Sequence, residues 1–243
     1  MGCLSKISLF KFSITCLAFV GVLLLPCQLQ AQRALEIKSK DDLSHKSGKL
    51  GAYKALVIGI NDYQDKKIPA LETAVNDARV FANLLQTRYG FQVTMLLDRQ
   101  ATRQAIMDKL RDLTATASQD ESVLIYYAGH GAEDRLLKTG SWVPSDAIGG
   151  NTATYLDNSY VQQVMRGMNA RHVLLVSDSC YAGTLFGASR TLPPSIDDRY
   201  YLNLYNEKSR WGMTSGNKTP VSDSGSEGHS IFAYQLIKAL TKN

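Results

Sequence analysis

The sequence has little cysteine, and most of it lies at one end. Of the 4 cysteines in 243 residues, Cys3, Cys16 and Cys27 fall within the first 31 residues and Cys180 stands alone in the rest. A chain that loses those 31 residues cannot form an internal disulfide, even in an oxidising compartment. A lone thiol there is a liability unless it is used, so Cys180 is the first candidate for a functional residue.

Patterns that mark several other kinds of site are also missing. The chain has no HExxH, CxxC or phosphate-loop pattern, so metal and nucleotide chemistry have no support and we expect no cofactor. Its net charge of +5 falls to +3 without Lys6 and Lys11, because the first 31 residues carry no acidic side chain. That charge is too weak and too scattered to indicate nucleic-acid binding.

The first residues have the three-part layout of a secretory signal peptide. Lys6 and Lys11 precede the apolar run 14–25, Pro26 interrupts it, and Ala31 offers a small residue for cleavage. The run is about a dozen residues long, short of the ~20 that span a bilayer. We therefore predict an exported protein, periplasmic or secreted, with no stable membrane insertion after cleavage. An uncleaved anchor is the alternative.

This layout predicts a signal peptide over 1–31, a solvated polar linker over 32–52 and one domain over 53–243. Strands are predicted at 54–60, 91–97, 122–128, 172–178 and 211–215, and helices beginning near Asn76-Asp77, Thr102, Asp157 and His229. The stretches 129–156 and 184–209 are predicted to be irregular. Apolar strands separated by helices predict an α/β fold, with a mostly parallel central sheet and helices on both faces.

Chemically active residues follow two of these strands. One strand runs into Gly129-His130-Gly131, and another into Ser179-Cys180. Right-handed crossovers place both ends at one edge of a parallel sheet, where the imidazole and the thiol would meet. An imidazole can take the proton of a thiol, and the N–H groups of Gly131 and Cys180 are candidate donors to an oxyanion. The alternative is a packed Cys180 and a His130 that only marks a loop.

The motifs YYAGHG (126–131) and DSCYAG (178–183) resemble the His and Cys motifs of the caspase-like cysteine peptidases, on the metacaspase and bacterial orthocaspase side. ALVIGINDY, AVNDA and GHSIFAY extend the resemblance over about 53–241. It implies a caspase-hemoglobinase fold, a three-layer sandwich, and peptide hydrolysis by a dyad of His130 and Cys180. The sequence departs from the animal caspase motif QACRG, so the resemblance does not extend to an arginine-lined pocket for aspartate.

The resemblance also implies an acidic pocket for the P1 side chain, which precedes the scissile bond. The matching positions are Asp77 and Asp178, and two carboxylates can hold a guanidinium. Protein or peptide substrates with Arg or Lys at P1 are therefore expected. The alternatives are a helix cap for Asp77 and a loop-orienting hydrogen bond for Asp178. Ala128 stands where many metacaspases carry a serine.

The remaining candidates receive weaker interpretations. Asp62 and Asp146 are interpreted as loop carboxylates, and His45, His172 and His229 as surface or core histidines without partners. The resemblance raises the question of calcium activation, which no EF-hand-like loop in the sequence supports.

Two other functions remain open, a caspase-like domain that binds peptides without turnover and a thiol transpeptidase on the same dyad. The long segment after the nucleophile predicts self-cleavage, because an acidic pocket would accept Arg190, Arg199, Lys208 and Arg210. The alternative is a mobile insertion whose basic residues only solvate it.

Overall fold

A parallel sheet forms the centre of the molecule. This computed structural model describes residues 51–134, 136–180, 206–216 and 225–242. Its strands are β1 (Tyr53–Gly59), β2 (Gln92–Leu97), β3 (Ser122–Ala128), β4 (Gly131–Asp134), β5 (Thr139–Trp142), β6 (Leu156–Asp157), β7 (His172–Asp178) and β8 (Ser209–Thr214). Its α-helices are α1 (Ala74–Tyr89), α2 (Arg103–Thr116), α3 (Asn158–Gly167) and α4 (Ile231–Thr241). Short 3₁₀ turns span Asp98–Gln100 and Thr152–Thr154.

The central sheet has the strand order β2-β1-β3-β7-β8, with every neighbouring pair parallel. Successive side chains of a strand point to opposite faces, so the apolar strands feed two cores. One core lies under α1 and α4 and includes Val57, Leu124, Tyr126 and Val176. The other lies under α2 and α3 and includes Ile58, Ile125, Tyr127 and Leu175. The predicted parallel sheet with helices on both faces is therefore confirmed.

The stretch 129–156 is not irregular as predicted. It contains β4, β5 and β6, which form a second, antiparallel sheet in that order. Its anchor is Trp142, 1% exposed, whose ring stacks on Tyr127 at 4.3 Å. These strands are rich in polar residues and glycine, so their sequence shows no alternation of apolar and polar residues. The packing of Trp142 against Tyr127 fixes their position instead.

The helix starts depart from the prediction at two places. Thr73 precedes α1, and Asp77 lies inside its first turn, so the interpretation of Asp77 as a helix cap is wrong. The closing helix α4 begins after Ser230, whose hydroxyl accepts the N–H of Ala233, and not at His229. Asp157 caps α3 as predicted, by accepting the N–H of Ser159.

Arg210 does not belong to an irregular segment. It lies in β8, where its guanidinium donates to the backbone carbonyls of Met165, Met168 and Ala170. These bonds tie β8 to the end of α3. Arg190 and Arg199, the predicted signal peptide and most of the linker 32–52 lie outside the described residues. Across the described ranges, no helix is both long and apolar enough to cross a membrane.

Candidate active site

The carboxyl ends of β3 and β7 lie side by side, since Ala128 pairs with Asp178 in the sheet. The N–H of Gly129 donates to the carbonyl of Asp178 at 3.3 Å, which extends the pairing beyond the strands. His130 and Cys180 follow at once. The sheet therefore brings together the two segments that the sequence predicts to meet.

The closest approach between them is at Gly131. A Cβ atom at this position would lie 1.9 Å from the carbonyl oxygen of Cys180, closer than any side chain permits. Glycine is required here because the backbone of the His130 segment lies directly against the backbone of Cys180. The two predicted oxyanion donors, the N–H groups of Gly131 and Cys180, belong to these adjoining residues.

The loop between β1 and α1 holds His130. The hydroxyl of Tyr63 accepts the N–H of His130 at 2.8 Å, and the two rings lie 5.1 Å apart. Nε2 of His130 lies 2.9 Å from the carbonyl oxygen of Pro69. A carbonyl only accepts, so Nε2 carries a hydrogen, and Nδ1 is the nitrogen that can take up a proton. Sequence reasoning missed both residues, although Tyr63 ends the motif ALVIGINDY.

Buried side chains hold the segment that precedes Cys180. The indole N–H of Trp142 donates to the Ser177 hydroxyl at 3.2 Å, and the Ser177 and Ser179 hydroxyls are 3.0 Å apart. Ser179 is 3% exposed, whereas Cys180 is half-buried. Cys180 is thus the first residue after β7 that solvent can reach.

The two predicted pocket carboxylates lie on the face of the sheet that α1 and α4 cover, and both are buried. Asp77 is fully buried and Asp178 is 8% exposed. Nδ1 of His229 donates to Oδ1 of Asp77 at 2.5 Å, and the N–H of Ser230 donates to Oδ2 at 3.2 Å. The Ser230 hydroxyl donates to Oδ2 of Asp178 at 2.5 Å. The start of α4 therefore caps both carboxylates.

Burial dominates the electrostatics of this cluster. It raises the pKa of Asp77 above its ordinary value, against the hydrogen bonds from His229 and Ser230 and together with the charge of Asp178. Tyr126, fully buried, has its pKa raised by burial and by the charges of Asp178 and Asp77. These groups therefore form one coupled set beneath the sheet edge.

Two predicted histidines are not as expected. His229 and His172 were predicted to lack partners, but His229 contacts Asp77 and Nδ1 of His172 lies 2.9 Å from the Ser209 hydroxyl. His45 lies outside the described residues. The signal for the first contact was the motif GHSIFAY, which holds both His229 and the helix-capping Ser230.

The remaining acidic candidates lie away from this set. Asp146 accepts the N–H of Arg103 at the start of α2, and Asp62 is an exposed loop residue, in agreement with their interpretation as loop carboxylates. Among the described residues, no three His, Cys, Asp or Glu side chains form a group that could hold a metal ion.

Comparison with known proteins places the chain near one family. The model of the caspase domain family matches residues 52–243. Metacaspase-1 of Schizosaccharomyces pombe is 27% identical over 156 residues, which cover 55% of this chain and 34% of that protein. Metacaspase-4 of Arabidopsis thaliana is 32% identical over 155 residues, which cover 56% of this chain and 35% of that protein. The matches thus span about a third of the length of these relatives.

A solved structure supports the same relation at the level of the fold. The chain is similar to caspase-1 from Spodoptera frugiperda, with a TM-score of 0.55 and 12% identity over 81% of this chain and 71% of that one. At this identity the likeness concerns the fold alone, and it agrees with the parallel sheet and its two helical layers.

Proposed function

The chain belongs to the caspase domain family, and from that premise we propose that it is a cysteine endopeptidase that cleaves after Arg or Lys with His130 and Cys180. The observation that carries the proposal is the approach of Gly131 to the Cys180 backbone. It supports a site in which the segment of the half-buried Cys180 adjoins that of His130, whose Nε2 lies 2.9 Å from the carbonyl oxygen of Pro69.

The proposed reaction uses groups of this chain throughout. Nδ1 of His130 takes the thiol proton of Cys180, and the thiolate attacks the carbonyl carbon of the scissile bond. The N–H groups of Gly131 and Cys180 stabilise the resulting oxyanion, a contribution of about 3–4 kcal/mol for one such donor. His130 then gives its proton to the leaving amine. Water hydrolyses the thioester that remains and restores the thiol.

The preference for a basic P1 residue is supported by Asp77 and Asp178 at the same sheet edge. Two neighbouring carboxylates suit a guanidinium or an ammonium, because buried charges require partners. Asp77 is fully covered by the start of α4. A basic side chain therefore has to share or displace the contacts that His229 and Ser230 make.

The decisive test is a positional-scanning library of fluorogenic peptides on the purified protein, with Cys180→Ala as the control. Cleavage after Arg and Lys that is absent from the variant supports the proposal. A preference for Asp at P1 contradicts the acidic pocket. An added amine distinguishes a transpeptidase, which would incorporate it into the product. Labelling of Cys180 by a peptidyl-Arg chloromethyl ketone requires a competent thiolate, so a failure to label would favour a peptide-binding domain without turnover.

We further propose that the protein is exported and works without a cofactor. Export rests on the signal-peptide layout of residues 1–31, and an N-terminus at Gln32 in secreted material would support it.

Parallel assays with calcium and with a chelator test the calcium dependence of activity. Self-cleavage is proposed after Arg190, Arg199 or Lys208 but not after Arg210, whose guanidinium is bonded within β8. New C-termini found by mass spectrometry in wild type, absent from Cys180→Ala, test this.

A further inference from the structure

Tyr126 carries a polar group that the chemistry described so far does not use. Its side chain is fully buried, and its hydroxyl has no hydrogen-bond partner among the described residues. Buried hydroxyls are normally paired, because leaving one unpaired is unfavourable. An exception of this kind points to a partner that a bound ligand supplies.

The hydroxyl belongs to the same cluster as the two carboxylates. Asp77 and Phe81 are four residues apart on α1 and so share a face, and the ring of Tyr126 lies 4.6 Å from that of Phe81. Tyr126 pairs with Val176 in the sheet, two residues before Asp178 on the same face. Burial, followed by the charges of Asp178 and Asp77, raises the pKa of the phenol.

The other polar groups of the cluster are already paired with one another. Both oxygens of Asp77 accept hydrogen bonds, from His229 and from the Ser230 N–H, and Asp178 accepts one from the Ser230 hydroxyl. Tyr126 is left out of this network. Along β3 its backbone precedes that of Ala128 by two residues on the same face, about 6–7 Å further from the end of the strand. A ligand that contacts Tyr126 as well as the carboxylates has to extend inward from the strand ends.

We propose that the Tyr126 hydroxyl is a specificity-determining group that accepts an N–H from the guanidinium of a P1 arginine held by Asp77 and Asp178. This inference rests on the proposed cleavage after basic residues. Arginine offers five N–H donors in a planar fork, whereas lysine offers three on one compact ammonium. Two carboxylates and a deeper hydroxyl therefore suit arginine better. Tyr126 makes the pocket select arginine over lysine.

The test compares Tyr126→Phe with wild type on matched peptides that carry Arg or Lys at P1. The variant loses the hydroxyl and keeps the ring. We expect kcat/KM for the Arg peptide to fall about tenfold, the size of one hydrogen bond to a charged group, and that for the Lys peptide to fall less than about threefold. The Tm should stay equal or rise, because an unpaired buried hydroxyl is removed.

The matched control is Tyr160→Phe. The Tyr160 hydroxyl on α3 is also buried and unpaired among the described residues, but α3 lies on the opposite face of the sheet. It should leave the ratio of Arg to Lys cleavage unchanged. An unchanged ratio in Tyr126→Phe, or an equal loss on both peptides, overturns the role of Tyr126 and leaves the proposed function intact. A wild type that cleaves neither peptide overturns the proposed function itself, and this inference with it.

Discussion

The two halves of the candidate site end on the same edge of the sheet, yet they are built in opposite ways. Around the dyad, the backbone is fixed and the reactive side chain is left accessible. Tyr63 and Pro69 hold His130, and Cys180 is half-buried. Around the carboxylates, the side chains themselves are bonded and covered, and Asp77 has no exposed surface.

The difference follows from what each half would have to do. A nucleophile must meet the substrate, so its support comes from backbone contacts behind it. A buried carboxylate is unfavourable without partners, and His229 and Ser230 supply donors to Asp77 and Asp178. We therefore expect the proposed dyad to meet a substrate directly, and the two carboxylates to exchange partners when a basic side chain binds.

The largest expected effect comes from removing the dyad. Cys180→Ala and His130→Ala should each abolish peptidase activity, because neither group can act without the other. The double variant should be little worse than either single one, since residues that act as a unit are not additive. Thermal unfolding should change little in Cys180→Ala, as the thiol is half-buried. Substantial turnover by Cys180→Ala would end the cysteine-peptidase proposal.

Gly131→Ala tests whether the backbone contact positions the dyad. The new Cβ would lie 1.9 Å from the Cys180 carbonyl oxygen, so the two segments must move apart. A displacement of about 1 Å can reduce a rate about 100-fold, and we expect at least that loss in kcat, with a lower Tm. Gly167→Ala is the matched control, because its Cβ would meet only Thr114 at 3.7 Å. Full activity in Gly131→Ala would show that the close approach does not matter.

The preference for the P1 side chain tests the proposed role of Asp77 and Asp178. An Arg peptide should exceed its citrulline isostere several hundredfold in kcat/KM, since an unpaired buried charge costs roughly 3–5 kcal/mol. Asp77→Asn and Asp178→Asn should each reduce this ratio strongly, with a smaller effect on the alkylation of Cys180 by iodoacetamide. Asp62→Asn, at an exposed loop residue, is the control and should leave the ratio unchanged. Equal losses in cleavage and alkylation would show that the carboxylates act on the thiol and not on P1.

The sequence predicts the dyad half better than the carboxylate half, for a physical reason. His130, Cys180 and Asp178 follow or end apolar strands, and the topology of a parallel sheet suffices to bring strand ends together, whereas Asp77 lies inside α1. The contacts of Asp77 come from residues 152 and 153 positions later, at the start of a helix whose packing depends on the complete fold. No local periodicity carries that information. The antiparallel strands after Gly131 were missed because one buried tryptophan, rather than an alternating pattern, holds them.

The smallest expected effect concerns the pH dependence of stability. Burial raises the pKa of Asp77 in the folded protein above its unfolded value of about 3.9. Folding therefore favours the protonated carboxyl, and the contribution of Asp77 to stability is fully present below pH ~3.9 and is lost as the pH rises through the folded pKa. In Asp77→Asn this titration is absent, while the amide oxygen can still accept the N–H of Ser230.

The Tm of wild type minus that of Asp77→Asn should therefore decrease as the pH rises across this window. A change on the order of 1 kcal/mol corresponds to about 2–4 °C for a domain of this size. Asp112→Asn, at a side chain that is 65% exposed on α2, is the control and should show a much flatter difference. Thermal unfolding of wild type, Asp77→Asn and Asp112→Asn from pH 3 to 8 measures these Tm differences. If the Tm difference between wild type and Asp77→Asn increases with pH instead, His229 stabilises the ionised Asp77 by more than burial destabilises it. Asp77 and His229 would then form an ion pair that favours folding.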